Sequence, residues 1–175
     1  MSVNLVLTII GEDRPGIVER LSETVAAHEG NWLESRMSRL AGEFAGIVLV
    51  NAPEARSRAL VRALEELETR GLRVVVARSD AGDTPRGLRG IRLELVGSDR
   101  PGIIRDISQA LARRDVNVDE LESECSPAPI SGGMLFKARA QLRVPPDVDL
   151  EQLRADLEEI ANDLMVDVSL DDLEE

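Results

Sequence analysis

One stretch of this chain is written twice. Residues 7–25, LTIIGEDRPGIVERLSETV, align without a gap on residues 93–111, LELVGSDRPGIIRDISQAL, at a constant offset of 86. Ser22 falls on Ser108 within that match. Asn31 follows Asp13 by 18 residues, as Asn117 follows Asp99. A repeat of this length implies two copies of one small domain. The boundaries then read as residues 1–80, a linker over 81–88 within DAGDTPRG, and residues 89–175 with an acidic tail.

The periodicity inside each copy restricts the fold further. Residues 3–10 (VNLVLTII) and 89–96 (RGIRLELV) have strand character. Ile17, Leu21 and Val25 then recur every fourth residue, as do Ile103, Ile107 and Leu111, which predicts a helix in each copy. Two strands follow, about 32–40 and 43–51 joined at Ala41-Gly42, and their counterparts about 117–125 and 134–144. A second helix is marked by Leu60, Leu64 and Leu67, and again by Leu150, Leu153, Leu157, Ile160 and Leu164. LRVVVAR and MVDVSL close the copies as strands. The order βαββαβ, twice, predicts an α+β chain of two ferredoxin-like units in tandem, each an antiparallel four-stranded sheet with helices on one face. SPAPISGG (126–133) lengthens one connection in the second copy and reads as a plain loop or a flap.

Composition narrows the function classes. The chain has 175 residues and a net charge of −12, with aromatic content of 2%. Residues 1–80 hold 10 Arg against 12 acidic residues, whereas residues 81–175 hold 11 basic against 21 acidic. Such a field repels phosphate backbones, which argues against direct nucleic-acid binding. No apolar stretch reaches the roughly 18 residues of a membrane span. No basic leader precedes the first strand, so a cytoplasmic location is the default. The single Cys125 excludes an intrachain disulfide and any multi-cysteine metal site, and no cofactor motif is present.

The chemistry of the repeated corner comes from its residue types. Gly11 and Gly97 would let the strand turn sharply, and Pro15 and Pro101 suit the first helical position. The N–H groups of Gly16 and Ile17, or Gly102 and Ile103, would then point out of a helix N-terminus that attracts a carboxylate or phosphate. Asp13 and Asp99 could accept from an ammonium group. Donors beside a carboxylate complement a zwitterionic amino acid, with Asn31 and Asn117 supplying amide hydrogen bonds from the neighbouring strand. The same residues also read as a plain helix start, with Asp as cap, Pro-Gly as opening and Asn as a turn residue.

The DRPGI turn after a strand, with Asn opening the second strand, resembles ACT-domain regulators, small βαββαβ modules that often bind amino acids at domain interfaces. The duplication, SRMSRLAGEFAG, GEFAGIVLV (42–50) and SPAPISGG resemble more narrowly the glycine cleavage system transcriptional repressor family, over residues 3–170. That resemblance implies a protein without catalysis that senses a small amino acid, glycine first, and restrains a DNA-binding transcriptional activator by protein–protein contact. It carries over to Asp13, Arg14, Gly16 and Asn31, and to Asp99, Arg100, Gly102 and Asn117. Asn117 lies between Val116 and Val118, where Asn31 lies between Gly30 and Trp32, so two sites need not bind equally. A stand-alone ACT regulatory subunit of a metabolic enzyme is the alternative.

The remaining candidates read as structure. His28 is a helix-end residue, Cys125 a buried small apolar residue, and Trp32 a core or interface anchor. Ser22 and Ser108 lie inside helices, away from any nucleophile elbow. A deformylase carrying a similar N-terminal module would need a catalytic domain for which there is no room. An RNA-binding sheet would need strand aromatics, and only Phe44, Phe136 and Trp32 are present. An exposed edge at the second or fourth strand could pair with another copy, making a homo-oligomer an open expectation.

Overall fold

The computed structural model describes residues 1–79, 87–128 and 132–173. Most of the expected linker, residues 129–131 of the SPAPISGG loop and the last two tail residues lie outside the described residues. The chain divides into two compact units, Met1–Gly82 and Asp83–Glu175. In the first, β1 (Ser2–Glu12) leads to α1 (Ile17–Ala27), β2 (Asn31–Leu40), β3 (Glu43–Pro53), α2 (Glu54–Glu65) and β4 (Leu72–Ser79). In the second, β5 (Arg89–Ser98) leads to α3 (Ile103–Ala112), β6 (Asn117–Pro127), β7 (Met134–Val144), α4 (Leu150–Leu164) and β8 (Val166–Asp172). The sheet orders are β2-β3-β1-β4 and β6-β7-β5-β8, every pair antiparallel. This is the α+β, ferredoxin-like architecture expected from the alternation of periods.

Each unit has its own core. Alternation along β1 sends Leu5, Leu7 and Ile9 to the helix-covered face, where they meet Leu21 and Val25 of α1 and Leu60 and Leu64 of α2. Leu93, Leu95, Ile107, Leu153 and Leu157 repeat the arrangement in the second unit. A fully buried side chain of this size contributes about 1.5–3 kcal/mol. The helix-face periodicity in the sequence and this burial are the same observation made twice.

The local expectations at Leu67, Met165 and Cys125 are corrected, and those at Trp32, His28 and Ala41-Gly42 agree with the structure. Leu67 is buried, but in a 3₁₀ turn (Glu66–Arg70) that follows α2. Met165 is the left-handed C-cap of α4, with φ 54°, so the last strand starts one residue later. Cys125 is exposed although it shares a rung with buried Phe136 on the helix-covered face, because it lies near the end of the edge strand β6. Trp32 is half-buried against the first core, and His28 caps α1 with Nδ1 2.9 Å from the Thr24 carbonyl oxygen. The β2–β3 hairpin turns on Ala41 and Gly42, both at positive φ, the signature of a two-residue turn matching strand twist.

Candidate functional site

Each repeated corner is built from a strand end, a tight turn and a helix start. β1 does not end at Gly11, nor β5 at Gly97; both strands continue for one residue. The glycine is required by close approach instead. A Cβ on Gly97 would lie 2.7 Å from Val166 Cα and 2.8 Å from the Met165 carbonyl oxygen, and one on Gly11 would overlap the Gly71 carbonyl. The central strand can therefore pass its outer neighbour only without a side chain.

Pro15 and Pro101 are not the first helical residues. The N-caps are Gly16 (φ 88°, ψ 5°) and Gly102 (φ 101°, ψ −6°), and the helices begin at Ile17 and Ile103. These angles match the third position of a type II turn, with proline at the second. Gly16 and Gly102 give their carbonyls to Arg20 N–H and Asp106 N–H, both at 3.0 Å. No side chain caps either helix, so Asp13 and Asp99 are not N-caps. By contrast Asp149 caps α4, accepting from Glu151 N–H and Gln152 N–H at 3.0 and 3.2 Å. The first-turn N–H groups of α1 and α3 are thus open to an outside acceptor.

The aspartates are tied down by their backbones. Asp13 N–H donates to the Gly42 carbonyl and Asp99 N–H to the Met134 carbonyl, each at 2.9 Å. Their side chains meet different partners. Asp13 Oδ2 pairs with Arg39 Nε at 2.7 Å. The residue 86 positions after Arg39 is Cys125, and its thiol faces Asp99; desolvation first, and then the Asp99 carboxylate, push that thiol above its ordinary pKa. No cation among the described residues pairs with Asp99.

The helix side of each corner differs as well. Beside Gly16 stands Glu19, whose Oε2 would lie 3.5 Å from a Cβ placed there. Beside Gly102 stands the matching Arg105, with Nη2 3.0 Å from the corresponding position. Arg105 Nε donates to Asp106 Oδ1 at 2.7 Å, which holds the Asp106 carboxyl below its usual range. Arg14 pairs with Glu12, and Arg100 Nη2 donates to Met165 Sδ at 3.4 Å. The first corner therefore presents an aspartate neutralised by Arg39 and the second an aspartate without a cation; both helix starts carry an acidic residue, Glu19 and Asp106, the latter paired with Arg105.

Asn31 and Asn117 do not join their own corners. Asn31 pairs with Asn51, which pairs with Asn4, at one end of the first sheet; Asp13 follows the Glu12–Glu43–Leu40 rung at the other. Nine residues of strand separate the ends, about 30 Å. Asn117, opposite Arg143, likewise sits at the far end from Asp99 and donates to Asp119 at 3.0 Å. Either asparagine can reach a corner only from a different sheet. Arg39, Cys125, Glu19 and Arg105 were missed by sequence reasoning, although the offset of 86 applied to positions 39 and 19 exposes both substitutions.

Among the described residues no group of three or more His, Cys, Asp or Glu is placed to hold a metal, and no helix is long and apolar enough to cross a membrane.

Comparison with known proteins agrees with this architecture. Two ACT-domain models match, over residues 4–76 and 91–162. The chain is 30% identical over 128 residues to glycine cleavage system transcriptional repressors of Escherichia coli (strain K12) and Shigella flexneri. That alignment covers 71% of this chain and 66% of the repressor, so the chain matches just under two thirds of the length of these relatives. A crystal structure of an unknown protein from Galdieria sulphuraria superposes with a TM-score of 0.89 at 29% identity, over 99% of this chain and all of the other. A candidate glycine cleavage system transcriptional repressor superposes with a TM-score of 0.74 at 22% identity over the full chain and 99% of its own, a likeness of fold. With both units matched, together over most of the chain, the chain belongs to the ACT-domain family, as two ACT domains in tandem.

Proposed function

We propose that this protein is a non-catalytic regulator that senses a small amino acid at its second repeated corner and passes the signal on by protein–protein contact. The supporting observation is the pairing at that corner of Asp99, which carries no cation, with the open first turn of α3 and Arg105 beside Gly102. A carboxylate meets backbone donors there beside Arg105, whose guanidinium is shared with Asp106, while an ammonium meets Asp99. At the first corner Arg39 already occupies Asp13, so Asp13, Arg14, Gly16 and Ile17 form the weaker site. Arg100, Gly102 and Ile103 complete the turn at the stronger one. Asn31 and Asn117 contribute only where another sheet is brought alongside.

The similarity to transcriptional repressors of the glycine cleavage system supports glycine as the amino acid and a DNA-binding activator as the protein partner. The acidic second unit suits a regulator that acts through protein and not on DNA.

Calorimetry with glycine and serine tests the site. Asp99→Ala and Cys125→Arg, the latter copying the first corner, should each weaken binding by about 10- to 100-fold, as loss of a charged hydrogen-bond partner does. Asp13→Ala should leave it within about twofold. Binding unchanged by Asp99→Ala, or no binding of either amino acid, overturns the assignment. Affinity capture from the native cytosol separates the partner readings: a transcription factor supports the repressor reading, and a metabolic enzyme supports a regulatory subunit.

A further inference from the structure

β2 and β6 are matching edge strands, and they have diverged. No residue of β6 is buried, and from Glu120 to Pro127 it pairs with β7 without a break. Its other side meets no strand among the described residues. Side chains alternate across it. Glu120, Glu122 and Glu124 share the open face of the sheet with Gln141, Arg139 and Lys137 of β7. Leu121, Ser123 and Cys125 share the helix-covered face with Ala140, Ala138 and Phe136. Between β6 and α3 that covered face is cut by an apolar slot, floored by Leu95, Ala138 and Ala140 and walled by Ile104, Ile107 and Leu121. Leu121 is 47% exposed there, and Val118, which also lines the slot, is 38% exposed. The first unit closes the matching place. At the offset of 86, Trp32 stands for Val118 and Met37 for Ser123, and both larger side chains pack on the first core. Charge differs too: β2 carries Glu34, Arg36 and Arg39, whereas β6 carries Asp119, Glu120, Glu122 and Glu124 and no basic residue.

We propose that the β6 edge is a docking site for an extended segment of another protein, one in which basic and aliphatic residues alternate. The proposal names the surface for the protein–protein contact described above and rests on that reading. A strand laid along β6 continues the sheet through backbone hydrogen bonds. Its period of two sets basic residues beside the three glutamates and aliphatic residues over Leu121 and the slot. The glutamates keep charge for such a partner, because Arg139 donates to Glu94 at 2.9 Å and Lys137 stands 3.9 Å from Glu124. A second copy is the poorer occupant. β6 against β6 sets glutamate opposite glutamate, which destabilises the pair. On their open faces β2 offers Glu34, Arg36 and Ser38, and β4 offers Arg73, Val75 and Ala77, so neither supplies a row of cations.

Fluorescence anisotropy of the full chain with a labelled peptide of alternating lysine and valine tests this, the peptide being about nine residues long to span the run at about 3.3 Å per residue. An alternating glutamate–valine peptide and a shuffled lysine–valine peptide are the controls. The alternating basic peptide should bind about tenfold or more tightly than either, and its affinity should fall as salt is raised. Amide hydrogen exchange should slow along Glu120–Pro127 on binding and not along β2. Val118→Trp with Ser123→Met copies the first unit into the slot and should weaken binding about tenfold or more, as loss of an aliphatic anchor does. Glu122→Gln with Glu124→Gln should weaken it to a similar extent and flatten the salt dependence. These residues are exposed, and circular dichroism confirms that both variants fold. Glycine binding is measured on the same samples: peptide capture without amino-acid binding supports the edge and counts against the corner alone. Equal binding of the shuffled peptide, no protection along β6, or variants that bind as the wild type does each overturn the proposal. So does a wild-type dimer that the slot variant dissolves in sedimentation equilibrium, because a second copy then holds the edge.

Discussion

The two glycines of the first corner do different work, and substitution separates them. Gly11 is small because β4 passes against it, whereas Gly16 is glycine because its φ is 88°. Gly11→Ala should cost about 1–3 kcal/mol through overpacking. Gly16→Ala should cost about 1 kcal/mol through backbone strain, with no collision, its nearest neighbour being the Glu19 side chain. Urea unfolding of both variants checks the order, and equal losses would contradict the separation. Cys125 offers a second measurement at this scale. Its thiol is exposed yet held protonated to higher pH, first by desolvation and then by Asp99. Asp99→Asn removes the second cause, lowers the thiol pKa and should raise the rate of iodoacetamide alkylation at pH 8. An unchanged rate would mean that Asp99 and the thiol do not meet.

Among the elements, helix starts show where a pattern is legible and where it is not. The fourfold spacing of Ile17, Leu21 and Val25 marked α1 in the sequence because it is the burial pattern itself. The helix begins two residues after Pro15, because Asp-Arg-Pro-Gly is compatible both with proline inside the first turn and with a type II turn before it. Only the left-handed φ of Gly16 decides between them. At the end of α3, Arg114 reaches across to Asp156 of α4, with its Nε 2.7 Å from Oδ2. Gln152 and Arg114 together hold the Asp156 carboxyl below its ordinary pKa. That interaction stabilises the fold above the ordinary carboxylate range and is lost as pH falls through the lowered value. Asp156→Asn should therefore lower the melting temperature at pH 7, and the gap from wild type should close below about pH 4. A gap constant from pH 7 to pH 3 would show that the pair carries no linkage.

At the scale of the whole molecule, duplication is legible in the sequence and the consequence of divergence is not. One motif at two places announced two domains because paralogous copies keep the residues that close approach and positive φ require, Gly11 with Gly97 and Gly16 with Gly102. One difference between the corners, Glu19 against Arg105, stands inside the aligned repeat; the other sits at positions 39 and 125, far along the chain from the motif, and these become neighbours of the aspartates only when β2 and β6 run antiparallel back to them. The asparagines were misplaced for the complementary reason. Asn31 opens a strand that is adjacent in sequence to α1 but starts at the far end of the sheet from Asp13.

The strand order has a consequence for synthesis. In both units the strand translated first lies inside the sheet, and the strand translated last is one of its two flanks. When residue 53 has emerged from the ribosome, β1 has gained β3 on one side and still lacks β4 on the other. Its remaining backbone groups and the hydrocarbon of Leu72 and Val74 find each other only after residues 72–79 follow. The nascent first unit is thus an open, pairing-competent sheet for about twenty residues of translation, the interval in which a chaperone has most to protect.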